Sequence, residues 1–304
     1  MPDSETATPL TEGTLLAVRI TRAAQADKGP RLTARLAGDE VALGGSGPQR
    51  LIRRGPGAVE RLARLYPDAS VMMDDPGLAA ALQSVLSRRI ELVPRVLDDE
   101  TESQIEALER SSVPLPSGGR LSVHPTPALV AIDLDSGQAT ADGSGKAAAQ
   151  LAFNRAALPE LAAQIRLRNL SGAIVVDFAG LPARRRTLLA PAFAAVLASD
   201  PLRPRLLGFT KLGLAEIVRR RIHPPLHELL SGPHAAGLLA LRRIAAELTR
   251  PPHRLPTLVA APAIVAALQA DLVALPDLAR RAGRALVLRS DPALSSWRLE
   301  MSDG

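Results

Sequence analysis

Apolar and polar positions alternate most sharply at two places in the chain. Val130, Ile132 and Leu134 occupy one parity of a period-two run and Asp133 and Asp135 the other, while Ala173 to Val176 is an unbroken, branched apolar run that ends at Asp177. The first pattern predicts a half-buried strand and the second a parallel strand buried on both faces. Each runs straight into acid. Residues of like parity lie about 7 Å apart along one face of a strand, so Asp133 and Asp135 share a face, and Asp177 emerges at the edge where open α/β sheets bind ligands. If the two strands are neighbours, Asp133, Asp135 and Asp177 converge as hard oxygen ligands, a set that suits Mg²⁺ or Mn²⁺ better than Zn²⁺. An acidic strand end is also a common N-cap or turn residue, so the pattern alone leaves both readings open.

The rest of the chain is mixed α/β. A polar start over residues 1–12 precedes a strand over Thr14 to Ile20, a basic turn at Asp27-Lys28-Gly29-Pro30-Arg31 and a strand over Leu32 to Leu36, a hairpin-like arm. Beyond the Gly44 to Pro48 linker, a helix over Gly57 to Tyr66, a strand over Ser70 to Met73, a helix from Asp75-Pro76 to Ser87 and a strand over Ile90 to Val93 make a βαβ-like unit. A helix over Glu102 to Arg110, a rigid turn at Pro114 to Arg120 and strands over Leu121 to His124 and Ala128 to Leu134 lead into a long helix, Ala147 to Asn169, which Pro159 is expected to kink. After Asp177 come a helix to about Ser199, a strand over Arg205 to Thr210 and a helix over Leu214 to Arg221. Pro224-Pro225 and Gly232-Pro233 mark a linker to a smaller α/β lobe with elements over Ala236 to Thr249, Pro256 to Ala260, Ile264 to Ala270, Ala285 to Leu288 and Trp297 to Met301.

Composition narrows the function. The 304 residues carry 37 Lys and Arg against 31 Asp and Glu, a formal net charge of +6, which favours a polyanionic partner such as nucleic acid. Lysine is confined to Lys28, Lys146 and Lys211, so the positive side is arginine, suited to bidentate phosphate contacts but equally the mark of an Ala/Arg/Leu/Pro-heavy composition. With no cysteine, disulfides, thiolate zinc sites and a Cys nucleophile are excluded. No signal-like N-terminus or long apolar span is evident, so a cytoplasmic location without membrane attachment is expected. At 2% aromatic residues, base-stacking platforms are scarce.

Several strings then resemble the ribonuclease E/G family of bacterial endoribonucleases. Glu102-Ser103-Gln104-Ile105-Glu106, Leu115-Pro116-Ser117-Gly118-Gly119 and Thr126 to Thr140 around Ile132-Asp133 resemble that family's approach to its first metal carboxylate. Ala152-Phe153-Asn154 and Gln164 to Gly172, leading to Ile174-Val175-Val176-Asp177-Phe178, resemble the approach to its second. Lys211-Leu212-Gly213-Leu214-Ala215-Glu216, with Arg219 and Arg221, resembles the Gly-Leu-x-Glu segment that follows, taken as a helix. The resemblance implies an S1-like remnant arm over residues 1–45, an RNase H-like subdomain over 46–100, a DNase I-like catalytic core over 101–225 and a small α/β domain over 226–304. Three departures stand out: most of an S1 barrel and a 5′-monophosphate sensor have no counterpart, zinc-link cysteines are absent so that no zinc-linked dimer is expected, and Asp135 stands where the family usually has Asn. An extra carboxylate there tightens metal binding but repels an incoming phosphate.

What the resemblance implies is a Mg²⁺-dependent endoribonuclease, with Mn²⁺ as an alternative and no zinc, that cuts single-stranded RNA to leave 5′-phosphate and 3′-hydroxyl ends. Asp133 and Asp177 are the expected metal ligands, with Asp135 beside them, and Lys28, Arg166, Arg168, Lys211 and Arg219 the expected RNA contacts. The alternative is a catalytically weakened relative that binds RNA or a protein partner. The oligomeric state is left open.

Overall fold

The computed structural model describes residues 10–22, 24, 29–41, 48–137, 145–248 and 255–301. Lys28, the start of the chain before Leu10 and most of the glycine linker lie outside the described residues. Contacts divide the chain into two compact units, Met1–Pro224 and Pro225–Gly304.

The first unit opens with an antiparallel hairpin, β1 (Arg19–Arg22) and β2 (Arg31–Thr33). The strand is shorter than Thr14 to Ile20 suggests, and a short helix α1 (Gly38–Val41) follows it. Next come α2 (Ala58–Leu65), β3 (Val71–Met73), α3 (Pro76–Leu86) and β4 (Ile90–Leu92), with β3 and β4 parallel, so the βαβ reading of this stretch holds. Asp75 starts α3 by accepting the Leu78 N–H at 3.0 Å, with Pro76 in the first turn, where its missing N–H costs nothing. Helix α4 spans Asp99–Ala107 and starts three residues ahead of expectation, because Asp98 caps it through the Thr101 N–H.

The dominant element is a six-stranded mixed sheet. Its strands are β5 (Ser112–Pro114), β6 (Arg120–Pro125), β7 (Val130–Asp135), β8 (Gly172–Asp177), β9 (Arg205–Phe209) and β10 (Ala215–Arg219), in the order β5-β6-β7-β8-β10-β9. Only β7 and β8 run parallel, joined by the 22-residue helix α5 (Lys146–Leu167), which continues through Pro159. After β8, α6 (Ala183–Arg186) and α7 (Ala190–Leu197) lead to β9. Leu158, Leu161 and Ile165 of α5 and Phe193 of α7 seal one face of the sheet against Ile132, Ile174, Val176 and Ile217. Helices therefore cover one face. This corrects the expectation that β8 is buried on both: Ile174 and Val176 are wholly buried, whereas Ala173 is exposed and Val175 half-buried.

A second correction concerns Leu214 to Arg221, which is not helical. Ala215, Ile217 and Arg219 point inward and Glu216 and Val218 outward, the period of the strand β10. The signal is disguised because one inward position is an arginine. Arg219 is buried, and its Nε donates to Asp200 Oδ2 at 2.7 Å while Nη1 donates to Asn169 Oδ1 at 2.8 Å and to the Leu170 carbonyl at 3.0 Å. Asn169 takes a positive φ to reach it and donates in turn to the carbonyls of His223 and Pro224.

The second unit contains α8 (Leu226–Leu229), α9 (Pro233–Leu248), β11 (Thr257–Ala260), α10 (Pro262–Ala270), α11 (Ala274–Ala282), β12 (Leu288–Ser290) and β13 (Trp297–Glu300), with the sheet order β12-β11-β13. Gly237 sets the approach of α9 to α10, since a Cβ there would lie 2.6 Å from Leu268 Cγ. Helix α11 is not among the expected elements; its Pro276 falls in the first turn, where proline is tolerated. Asp271 leads into that helix, accepting the Val273 and Ala274 N–H groups and pairing with His234 at 2.8 Å. Those bonds, the Ala274 N–H foremost, hold its carboxyl down at about 2 against an ordinary 3.8. No single helix among the described residues is long and apolar enough to cross a membrane.

Two expectations follow. Arg219→Ala leaves Asp200 buried and unpaired, a change that costs about 3–5 kcal/mol in such pairs, and urea unfolding of the full chain measures it; a loss below about 1 kcal/mol would show that the network is dispensable. Because the folded pKa of Asp271 is depressed, the stability it contributes is fully present above the unfolded value of 3.8 and disappears as pH falls through about 2. Trp297, the chain's one tryptophan, lies in this unit, so its fluorescence during acid titration reports the loss, and Asp271→Asn flattens the transition.

Candidate active site

The parallel pairing of β7 and β8 sets the register Ile132 against Val176 and Asp133 against Asp177. Adjacent strands lie about 4.8 Å apart, and in-register neighbours project to the same side. With Ile132 and Val176 fixed in the core, Asp133 and Asp177 stand side by side on the opposite, more exposed face at the carboxyl ends of both strands. The electrostatics bear out that closeness: partial burial foremost, then the charges of Asp177 and Asp135, push the Asp133 carboxyl above its ordinary value, against a downward pull from His124 and Arg120. Outside the backbone ladder, the Asp133 carboxylate accepts no hydrogen bond among the described residues.

Asp177 is held. Arg186 of α6 donates to its Oδ1 at 2.5 Å, to the Leu181 carbonyl at 2.7 Å and to the Gly213 carbonyl at 3.2 Å, and its side chain is only 13% exposed. Gly213, at φ +87°, allows that approach, because a Cβ there would press on Ala183 and on Arg186 itself. On the other side, buried Asn154 of α5 binds the backbone of Ala179 in both directions, donating to its carbonyl at 2.9 Å and accepting its N–H at 3.0 Å. The chain leaving β8 is thereby fixed two residues beyond the acid, which gives the Ala152-Phe153-Asn154 string a physical role that the sequence did not disclose.

Asp135 has partners of its own. The Gly137 N–H at 2.9 Å and Arg120 Nη2 at 3.2 Å engage its carboxylate and lower its pKa, the Gly137 bond most. Among the described residues no group of three or more metal-ligating side chains is placed to hold an ion. Asp133 and Asp177 are thus the acids in direct register, and the carboxylate of Asp135, on the same face, is engaged by Arg120 and the Gly137 N–H.

The expected RNA contacts separate by position. Arg219 pairs across from Gly172, at the end of β8 far from Asp177, about 17 Å away for a strand of this length, and its guanidinium is taken up internally. Arg168 is 7% exposed, donates to Gln164 and to the Ala107 carbonyl, and has its pKa lowered by burial; it and exposed Arg166 close the same far end, in the last turn of α5. Lys211 differs, standing exposed in the β9–β10 turn beside Gly213, at the Asp177 edge. Lys28 lies outside the described residues.

Comparison with known proteins decides the family. The model of the ribonuclease E/G family matches residues 58–222, over half of the chain. The chain belongs to the ribonuclease E/G family. It is similar to ribonuclease E of Nostoc sp. (39% identical over 155 residues, 50% of this chain and 22% of that protein) and of Escherichia coli (36% over 139 residues, 45% and 13%). It is also similar to the chloroplastic ribonuclease E/G-like protein of Arabidopsis thaliana (33% over 144 residues, 45% and 14%). The matched stretch thus spans 22% or less of the length of these relatives. The acid pair and the segments that hold it lie inside the family region.

Two carboxylates side by side fit a small hard cation that completes its shell with water and phosphate oxygens, as Mg²⁺ does. Arg186 opposes such an ion electrostatically. Arg186→Met is expected to tighten Mn²⁺ binding about five- to tenfold, near 1 kcal/mol for a charge this close to the solvent, as read by Mn²⁺ electron spin resonance. Weaker binding in the variant would show that holding Asp177 in place outweighs the charge.

Proposed function

We propose that this ribonuclease E/G family member is a Mg²⁺-dependent endoribonuclease that cleaves single-stranded RNA to 5′-phosphate and 3′-hydroxyl ends. The observation that carries the reading is the in-register placement of Asp133 and Asp177 on the open face of the sheet, within the region matched to the family. The relatives' shared name, ribonuclease E, supports RNA as the substrate. On this reading the six-stranded sheet is the DNase I-like core and the β3-α3-β4 unit the RNase H-like part.

Asp133 and Asp177 would hold the ion, which when bound supplies Lewis acidity toward water and toward a phosphoryl oxygen. The chain's own residues do the rest. Asn154 and Arg186 orient Asp177, so that the pair is preorganised and little reorganisation remains when substrate arrives. Asp133, with its raised pKa and no competing hydrogen bond, is the carboxylate open to exchange. Lys211 lies at the same edge to meet the RNA backbone.

The test is cleavage of an unstructured oligoribonucleotide by the full chain, with Mg²⁺ and with EDTA. Asp177→Asn and Asp133→Asn are each expected to lower the Mg²⁺-dependent rate at least about a hundredfold, the scale of removing one electrostatic element of a phosphoryl-transfer site, while leaving RNA binding in place. Binding without cutting by the wild type in either condition would establish the weakened RNA-binding relative instead.

A further inference from the structure

Arg120 has no assigned part in this site. It begins β6, directly across the ladder from Asp135, and its Nη2 donates to Asp135 Oδ2 at 3.2 Å. The Leu115 to Gly119 turn places it there: Gly119, at φ +73°, lies so close to the end of β7 that a Cβ would sit 2.2 Å from the Asp135 carbonyl oxygen, so only glycine lets the turn close. Asp135 is anchored from its other side by the Gly137 N–H. The Arg120 side chain is 63% exposed, and its guanidinium makes this one hydrogen bond among the described residues, out of five N–H donors. Parity puts Arg120 on the acid face with Ser122 and His124, and its charge is felt at Asp133.

An exposed pair of this kind adds little to stability. Its electrostatic effect on the site is larger. Asp135 alone would set a third negative charge where a phosphodiester must approach; paired with Arg120 it is neutralised, and a planar fork of donors is left beside the acid pair. The guanidinium that binds Asp177, that of Arg186, is three-fold occupied and its side chain nearly buried.

We propose that Arg120 is a phosphate-binding residue of the RNA site, positioned by Asp135 so that its remaining N–H groups meet a phosphate of the strand that lies against Asp133 and Asp177. This rests on the nuclease reading for the identity of the ligand, and the experiment separates the two. A fluorescein-labelled single-stranded oligoribonucleotide is titrated with the full chain in EDTA over a salt series, for the wild type, Arg120→Ala, Arg120→Lys and Asp135→Asn, and cleavage is followed in Mg²⁺.

Arg120→Ala is expected to weaken binding about five- to tenfold at low salt and to reduce the slope of log Kd against log salt by about 0.7, one single-strand phosphate contact. Arg120→Lys restores the slope with part of the affinity, since the charge is kept and the fork lost. Asp135→Asn keeps the slope and weakens binding less. In cleavage, Arg120→Ala raises KM more than it lowers kcat. An Arg120→Ala protein with wild-type slope and KM overturns the assignment even if the wild type cuts; a wild type that binds through Arg120 yet never cuts upholds it and removes the nuclease reading; a wild type that binds no RNA removes both.

Discussion

Two like charges held in register on adjacent parallel strands are the constraint on which the molecule turns. Carboxylates about 5 Å apart repel by about 3 kcal/mol at an effective dielectric near 20, and nothing in β7 or β8 alone would choose that arrangement. The core chooses it. A slip of one residue would turn Ile132 and Val176 out of the helix-covered face, and with Val130, Leu134 and Ile174 also buried the cost of that slip exceeds the repulsion. Burial on one face thus enforces proximity of acid on the other.

The rest of the sheet edge answers the excess negative charge. Arg186 neutralises Asp177 from the β8 side and is itself fixed by two backbone carbonyls; Arg120 neutralises Asp135 from the β6 side. Asp133 is left between them as the one acid of the three without an ion pair, and burial with the neighbouring negative charges raises its pKa. The residual charge of the edge is therefore concentrated at a single carboxylate next to its oriented neighbour, a distribution that suits capture of a cation without a general repulsion of phosphate.

How far the sequence foretold this depends on which physics wrote each feature. Strand runs set by burial, such as Val130 to Asp135, were readable because apolar parity records the core. The parallel pairing of the two acid-bearing strands was open to inference from the long helix between them. The sequence of β10 suggests a helix because its third inward position is Arg219, whose partners, Asp200 and Asn169, come from distant segments; periodicity counts a buried arginine as a polar position. For the same reason Asn154 and Arg120 went unassigned: each works through a contact across the sheet or between helix and strand exit, and neither leaves a local mark beyond its identity.

That distinction also corrects what net charge means here. A surplus of arginine argues for a polyanionic ligand only through guanidiniums that meet solvent near the chemistry. Arg219 and Arg168 use theirs inside the protein, at the end of β8 opposite Asp177, where Arg219 ties β10 to the segments that follow α5 and α7 and Arg168 ties α5 to α4. The two ends of the same strand thus differ: at one the guanidiniums of Arg219 and Arg168 are taken up inside, and at the other acids are presented outward. A buried, internally paired guanidinium is not available to a polyanion, so the placement of the basic groups and not their sum over the chain is what bears on the nuclease proposal.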